Sequence, residues 1–106
     1  MSTGLKIAAA AVLLLGSATL GLASGAQLRG PELVNANGCK GCHIIGEDGG
    51  NLGPSLNGVG ARLTSEEIRG QLLNPKASNP ASIMPAFTDL AQEDLDALVE
   101  YLSGLK

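Results

Sequence analysis

Residues 39–43 read Cys39-Lys40-Gly41-Cys42-His43, and this C-x-x-C-H run decides how the rest of the chain is read. Two thiols at that spacing sit on one turn of chain, so both can reach one edge of a porphyrin and join its vinyl groups as thioethers. The histidine that follows can swing under the ring and offer an imidazole nitrogen to one axial position of the iron. Lys40 and Gly41 carry no chemistry in this reading.

Three other readings of the cysteine pair fit less well. A redox dithiol belongs in a βαβ context, and no alternating strand pattern surrounds Cys39 and Cys42. A structural zinc site takes four Cys or His ligands, but Cys39, Cys42 and His43 are all the chain has. A disulfide across a two-residue gap would close a small, strained loop and constrain little.

The 106 residues suffice for one small domain. The first part of the chain has a different plan. Lys6 is followed by an apolar run from Ile7 to Leu15, a diluted apolar stretch to Ala23, and small residues at Ala23, Ser24, Gly25 and Ala26. Residues 1–26 are therefore expected to be a secretory signal peptide, cleaved after Gly25 or Ala26. The alternative is an uncleaved anchor, since residues 7–23 reach the short edge of a bilayer span. Residues 27–106 form the expected domain. With Lys6 set aside, six basic residues face ten acidic ones. That balance argues against a nucleic-acid partner and against docking on anionic lipid; a membrane enters only if the leader stays attached.

The domain has one Phe, one Tyr and no Trp. A domain of this size has a marginal core and usually needs a staple. A covalently held porphyrin would supply the large flat apolar mass that the side chains lack. The haem-free chain is accordingly expected to fold poorly.

Along the chain, Gly30-Pro31-Glu32 reads as a helix start, with Pro in the first turn and an acid near the positive end of the dipole. Leu33, Val34 and Ala36 give that helix an apolar side. Residues 44–60 are glycine-rich and read as a loop long enough to wrap a haem face. Within it, Gly53-Pro54 is either a plain turn or the place where a carbonyl meets the ring N–H of His43. Thr64-Ser65-Glu66-Glu67 is a capping box opening a short helix with Ile68, Leu72 and Leu73 on its apolar face, ended by Asn74-Pro75. Arg62, just before the cap, is either a solvated surface residue or a partner for a haem propionate.

A second irregular segment, residues 75–88, contains Asn79-Pro80 and Met84-Pro85. Met84 is the one methionine besides the initiator. It sits in a proline-braced loop, not on a helix face, which suits a thioether crossing the haem to the second axial position better than core filling. Leu95, Leu98, Val99 and Leu102 recur at helical spacing and predict a last amphipathic helix, with Tyr101 beside the stripe and packing on the first helix.

These residues together resemble the small bacterial class I (monohaem) cytochromes c. The match runs through G-C-K-G-C-H (38–43), L-G-P-S-L-N-G-V-G-A-R-L-T (52–64), N-P (74–75), M-P-A-F (84–87) and L-D-A-L-V-E-Y-L (95–102). The resemblance implies an all-α fold of three to four short helices and long loops wrapped around one covalently attached haem c, with the first and last helices crossing. It implies His43 and Met84 as axial ligands, a Pro54-associated carbonyl on the His43 ring, and electron transfer rather than catalysis. The family usually places an aromatic in the first helix at the crossing; here Val34 is the nearest candidate.

The expected function is a one-electron carrier of a respiratory chain, monomeric and periplasmic. Its redox protein partners would dock at the haem edge near Cys39 and Cys42, ringed by Ile44, Ile45, Pro85 and Ala86. The alternatives are a membrane-anchored or complex-bound subunit of a larger respiratory oxidoreductase, and a haem enzyme or gas sensor with a labile Met84.

Overall fold

The computed structural model describes residues 25–106. The leader's apolar run and the anchor alternative lie outside the described residues, whereas the expected cleavage positions, Gly25 and Ala26, open the first helix. The described chain folds as four α-helices: α1 (Gly25–Ala36), α2 (Val59–Arg62), α3 (Ser65–Leu73) and α4 (Gln92–Ser103). A 3-10 turn at Cys39–Gly41 follows α1, and a second at Pro75–Ala77 follows α3.

The helices form where the sequence supplies periodicity and caps. Along α4, Leu95, Leu98, Val99 and Leu102 are all buried, as the spacing predicts. At the start of α3 the Thr64 hydroxyl accepts from Glu67 N at 3.1 Å, and the Glu67 carboxylate accepts from Thr64 N at 2.9 Å. Two of the donors that every helix N-terminus exposes are thus satisfied reciprocally. Ile68 and Leu72 of α3 are buried, and Asn74 N closes the helix on Gly70 O at 2.8 Å.

The centre of the molecule is aliphatic. Leu33, Val34, Val59, Ile68, Leu72, Leu95, Leu98, Val99 and Leu102 form one cluster, with Phe87, Met84 and Tyr101 packed against it. Leu98 and Val34 are 0% and 1% exposed. Truncation of a leucine so placed costs roughly 2–5 kcal/mol, a large part of the stability of a small domain.

The helix pair α1–α4 makes the most extensive contact, and α3 also packs on α4. At the α1–α4 crossing, a Cβ added at Gly30 would collide with the Cβ and ring of Tyr101. The missing side chain lets the two backbones approach, and Tyr101 packs on the first helix as expected. The crossing is therefore made by Gly30 against Tyr101, while Val34 packs within the cluster. Ion pairs flank the packing: Arg29 with Asp94 at 2.6 Å and Arg69 with Asp96 at 2.9 Å. Both are partly exposed and contribute at most about 1 kcal/mol each.

Two expectations are corrected. The first helix does not start at Gly30-Pro31-Glu32, because α1 already runs through Gly25 and holds Pro31 in its interior. Proline there removes a single backbone donor, and burial of Ala26, Gly30, Leu33 and Val34 on α1 carries the helix across it. The glycine-rich stretch after His43 is also not wholly irregular. Ile44–Ile45 and Asp48–Gly49 pair antiparallel, in the register Ile44↔Gly49 and Ile45↔Asp48, around a two-residue turn at Gly46-Glu47. Two-residue strands are too short to show alternation.

Candidate functional site

The 3-10 turn after α1 presents the motif. Cys42 N and His43 N both donate to Cys39 O, at 3.2 and 3.0 Å. This places Cys39, Cys42 and His43 on one tight bend, and all three line a cavity of about 720 Å³. Its walls are mainly apolar, among them Leu52, Pro54, Leu56, Val59, Ile68, Leu72, Phe87 and Leu102, and Met84 is one of the lining residues. Thus residues 39, 42, 43, 54, 62 and 84, singled out from the sequence, all reach one space.

Each of the two thiols is free and half-buried. Burial pushes the Cys39 thiol above its ordinary value, against a smaller lowering by a backbone hydrogen bond.

The His43 ring is fixed from one side. Its Nδ1 lies 2.7 Å from Pro54 O. Since a carbonyl only accepts, Nδ1 carries the proton and donates, which leaves Nε2 with its lone pair available to a metal. Such a bond sets the tautomer and ring orientation and raises the basicity of the other nitrogen. It is the carbonyl of Pro54 itself that serves.

Gly53 allows this approach. A Cβ there would lie 2.6 Å from His43 Cε1 and 2.9 Å from Nδ1. The backbone of residue 53 rests on the imidazole, and Gly53 N donates to Cys42 O at 2.8 Å. Leu56 N further donates to Ile44 O at 2.9 Å. The loop after the motif is therefore laced to the motif itself. Among the described residues no group of three or more His, Cys, Asp or Glu could hold a metal ion.

Arg62 lines the cavity, but its guanidinium also has protein partners. Nη1 donates to Asn57 O at 2.9 Å and Nη2 to Ser55 O at 2.7 Å. Two of its five N–H donors are so used.

The Met84 loop is held differently. Met84 N donates to Ser82 Oγ at 3.2 Å, Ser82 N to Asn79 O at 2.9 Å, and Lys76 Nζ to Ser82 O at 2.5 Å. Phe87 N donates to Leu72 O at 2.8 Å, anchoring the far end on α3. Of the four residues expected to ring the docking edge, Pro85 alone lines the cavity; Ala86 is exposed but not part of its lining, and Ile44 and Ile45 are half-buried in the hairpin and do not line it. The large apolar side chains exposed at the cavity are Leu52 and Ile83, at 71% and 76%.

Gly53 stood out in the sequence only as half of a Gly-Pro pair, and neither Asn57 nor Ser55 was given a role. No local pattern marks Asn57, whose partners lie 11 residues away in the hairpin turn.

A porphyrin fits these residues: the cavity is apolar and of cofactor size, two thiols share one bend of its wall, and an oriented imidazole and a thioether also line it. Fold and site define a small, mostly helical domain with a cavity suited to a porphyrin. The cytochrome c family model matches residues 27–106, and the chain belongs to that family. It is also 30% identical over 86 residues to cytochrome c oxidase subunit 2 of Alkalihalophilus pseudofirmus (strain ATCC BAA-2126 / JCM 17055 / OF4). That match covers 74% of this chain but 25% of the relative, so the chain spans about a quarter of the length of the curated relative it matches.

Proposed function

We propose that this chain is a one-electron carrier holding a single haem c through thioethers at Cys39 and Cys42, with His43 and Met84 as axial ligands. The observation that carries the reading is the His43 ring, oriented by Pro54 O at 2.7 Å inside the cavity that both thiols and Met84 line. Bound there, haem supplies one reversible electron at iron.

The chain's own residues do the rest. Cys39 and Cys42 would hold the group by adding their S–H across its two vinyl groups, sulfur to one carbon and hydrogen to the other, which needs no oxidant. His43 offers Nε2, and Pro54 O keeps that nitrogen basic. Met84 offers a neutral thioether, which favours the reduced state. If His43 and Met84 both held the iron, a substrate would find no open position, which favours a carrier over an enzyme or gas sensor. The mainly apolar walls would favour the less charged state. The unused donors of Arg62 suit a propionate at the cavity margin.

Partner proteins would dock where Leu52, Ile83 and Pro85 border the cavity, in a small transient encounter. The leader directs the domain to the periplasm. The similarity to an oxidase subunit supports a second reading, in which the same domain works anchored or complex-bound beside a respiratory oxidoreductase. N-terminal sequencing and membrane fractionation of the native protein separate the two.

The central test is production in a host competent for cytochrome maturation. Haem staining that survives denaturation, a low-spin spectrum of the reduced protein, and loss of that spectrum in Met84→Ala are expected. A colourless product with two titratable thiols, or a Met84→Ala variant with unchanged spectrum and potential, would overturn the reading.

A further inference from the structure

Resting on the haem c reading above, we propose that Asn57 is a positioning residue for the His43 imidazole, acting through the backbone of residues 54–57. Its side chain closes a two-point clamp on the hairpin turn: Oδ1 accepts from Gly46 N at 2.7 Å, and Nδ2 donates to Gly46 O at 3.0 Å. The amide is oriented without ambiguity, since each end meets a group of the opposite kind. It thereby imitates a backbone pair and extends the hairpin's ladder onto the neighbouring loop.

The same loop is gripped from its other side. Arg62 holds Ser55 O and Asn57 O at 2.7 and 2.9 Å, and Asn57 N donates to Ser55 Oγ at 3.1 Å. Residues 55–57 are thus fixed to the hairpin on one flank and to α2 on the other. Pro54, whose carbonyl orients His43, is the next residue along. Proline has no N–H of its own with which to fix this peptide. The position of its carbonyl therefore depends on how residues 55–57 are held, and Asn57 ties that stretch to the hairpin. Neither Asn57 nor Gly46 lines the cavity. Any effect of Asn57 on the site must pass through the backbone it holds, the loop at 54–57 or the hairpin that begins beside His43.

The sign comes from the hydrogen bond. A carbonyl close to Nδ1–H makes Nε2 a stronger donor and stabilises oxidised iron. Loosening the clamp weakens that bond, so the midpoint potential rises.

The test compares holo wild type, Asn57→Ala and Thr64→Ala. The last removes the α3 cap, well away from His43 in the hydrogen-bond network, and serves as a control for stability alone. NMR exchange of the His43 Nδ1 proton, redox titration and thermal melting are measured on each. Asn57→Ala is expected to speed exchange about tenfold, as suits the loss of two ordinary hydrogen bonds, and to raise the midpoint potential; Thr64→Ala should lower only the melting temperature.

Exchange and potential in Asn57→Ala equal to those of Thr64→Ala would overturn the proposal. If Asn57→Ala yields no folded holoprotein, Asn57→Asp decides. It keeps the acceptor for Gly46 N and loses the donor to Gly46 O, and is read by exchange alone because its charge moves the potential directly. Faster exchange than wild type supports the clamp, and unchanged exchange overturns it. A wild type without covalent haem would defeat the functional reading and this proposal together. A haem-bearing wild type with an indifferent Asn57 would defeat only the proposal.

Discussion

The loops carrying the two proposed iron ligands are built in different ways. On the His43 side, bonds cross between separate pieces of chain: Gly53 N to Cys42 O, Leu56 N to Ile44 O, Gly50 N to Lys40 O, and the Asn57 clamp on Gly46. On the Met84 side most bonds are local. Asn79 and Ser82 organise the stretch around Met84, and the Lys76 ammonium and Phe87 N tie it to its surroundings. Prolines 80 and 85 stiffen that segment by restricting backbone angles rather than by adding partners. The difference teaches that one ligand is held by tertiary structure and the other by a braced strap. The strap is the side expected to open first.

The largest expected effect comes from removing the ligand on the firm side. His43→Ala should give no stable holoprotein, seen as loss of haem staining in cell extracts and of a cooperative melt. Haem-free wild type should likewise lack a sharp thermal transition by circular dichroism. A cooperative melt matching that of the holo form would show that the aliphatic cluster suffices without a porphyrin.

Met84→Ala should be milder. Haem stays attached through the thiols, the midpoint potential falls, and the reduced protein gains carbon monoxide binding. Optical titration reads all three. If this variant loses haem as fully as His43→Ala does, the two sides are not unequal.

Gly53→Ala probes the firm side without removing a ligand. Its methyl group would press on the imidazole, at a cost of about 1–3 kcal/mol by analogy with overpacked sites. Denaturant unfolding of the holoprotein measures the loss. A neutral result would mean that the loop can retreat from His43 and is not laced down as described.

The smallest effect belongs to the strap. Lys76→Ala removes an exposed bond to Ser82 O, costing about 0.5–1.5 kcal/mol. Amide exchange should quicken at Met84 while Gly53 and Leu56 stay protected. Equal change on both sides would erase the contrast.

Much of this architecture was legible in the amino-acid order because its causes are local. The capping box at Thr64 and Glu67 involves residues three apart, and the stripe of α4 follows from helical period alone. The C-x-x-C-H run places its three groups on one bend whatever surrounds it. Met84 stood out through its proline-braced loop. The start of α1 was misread because Pro31 resembles a first-turn proline, and only the burial of Ala26 and Gly30 shows the helix running past it. The hairpin escaped notice because two-residue strands have no period to detect.

The order of residues by itself determined a small helical domain, the turn that gathers two thiols and a histidine, and a lone methionine on a braced loop. Each depends on neighbours within a few positions. Only the tertiary structure decided that Pro54's own carbonyl meets His43, that Gly30 admits Tyr101, and that Arg62 spends two donors on the loop at 55–57. Those contacts join segments 5 to 71 residues apart, so no local propensity encodes them; they arise when the helices close around the cavity and backbone groups there must find partners.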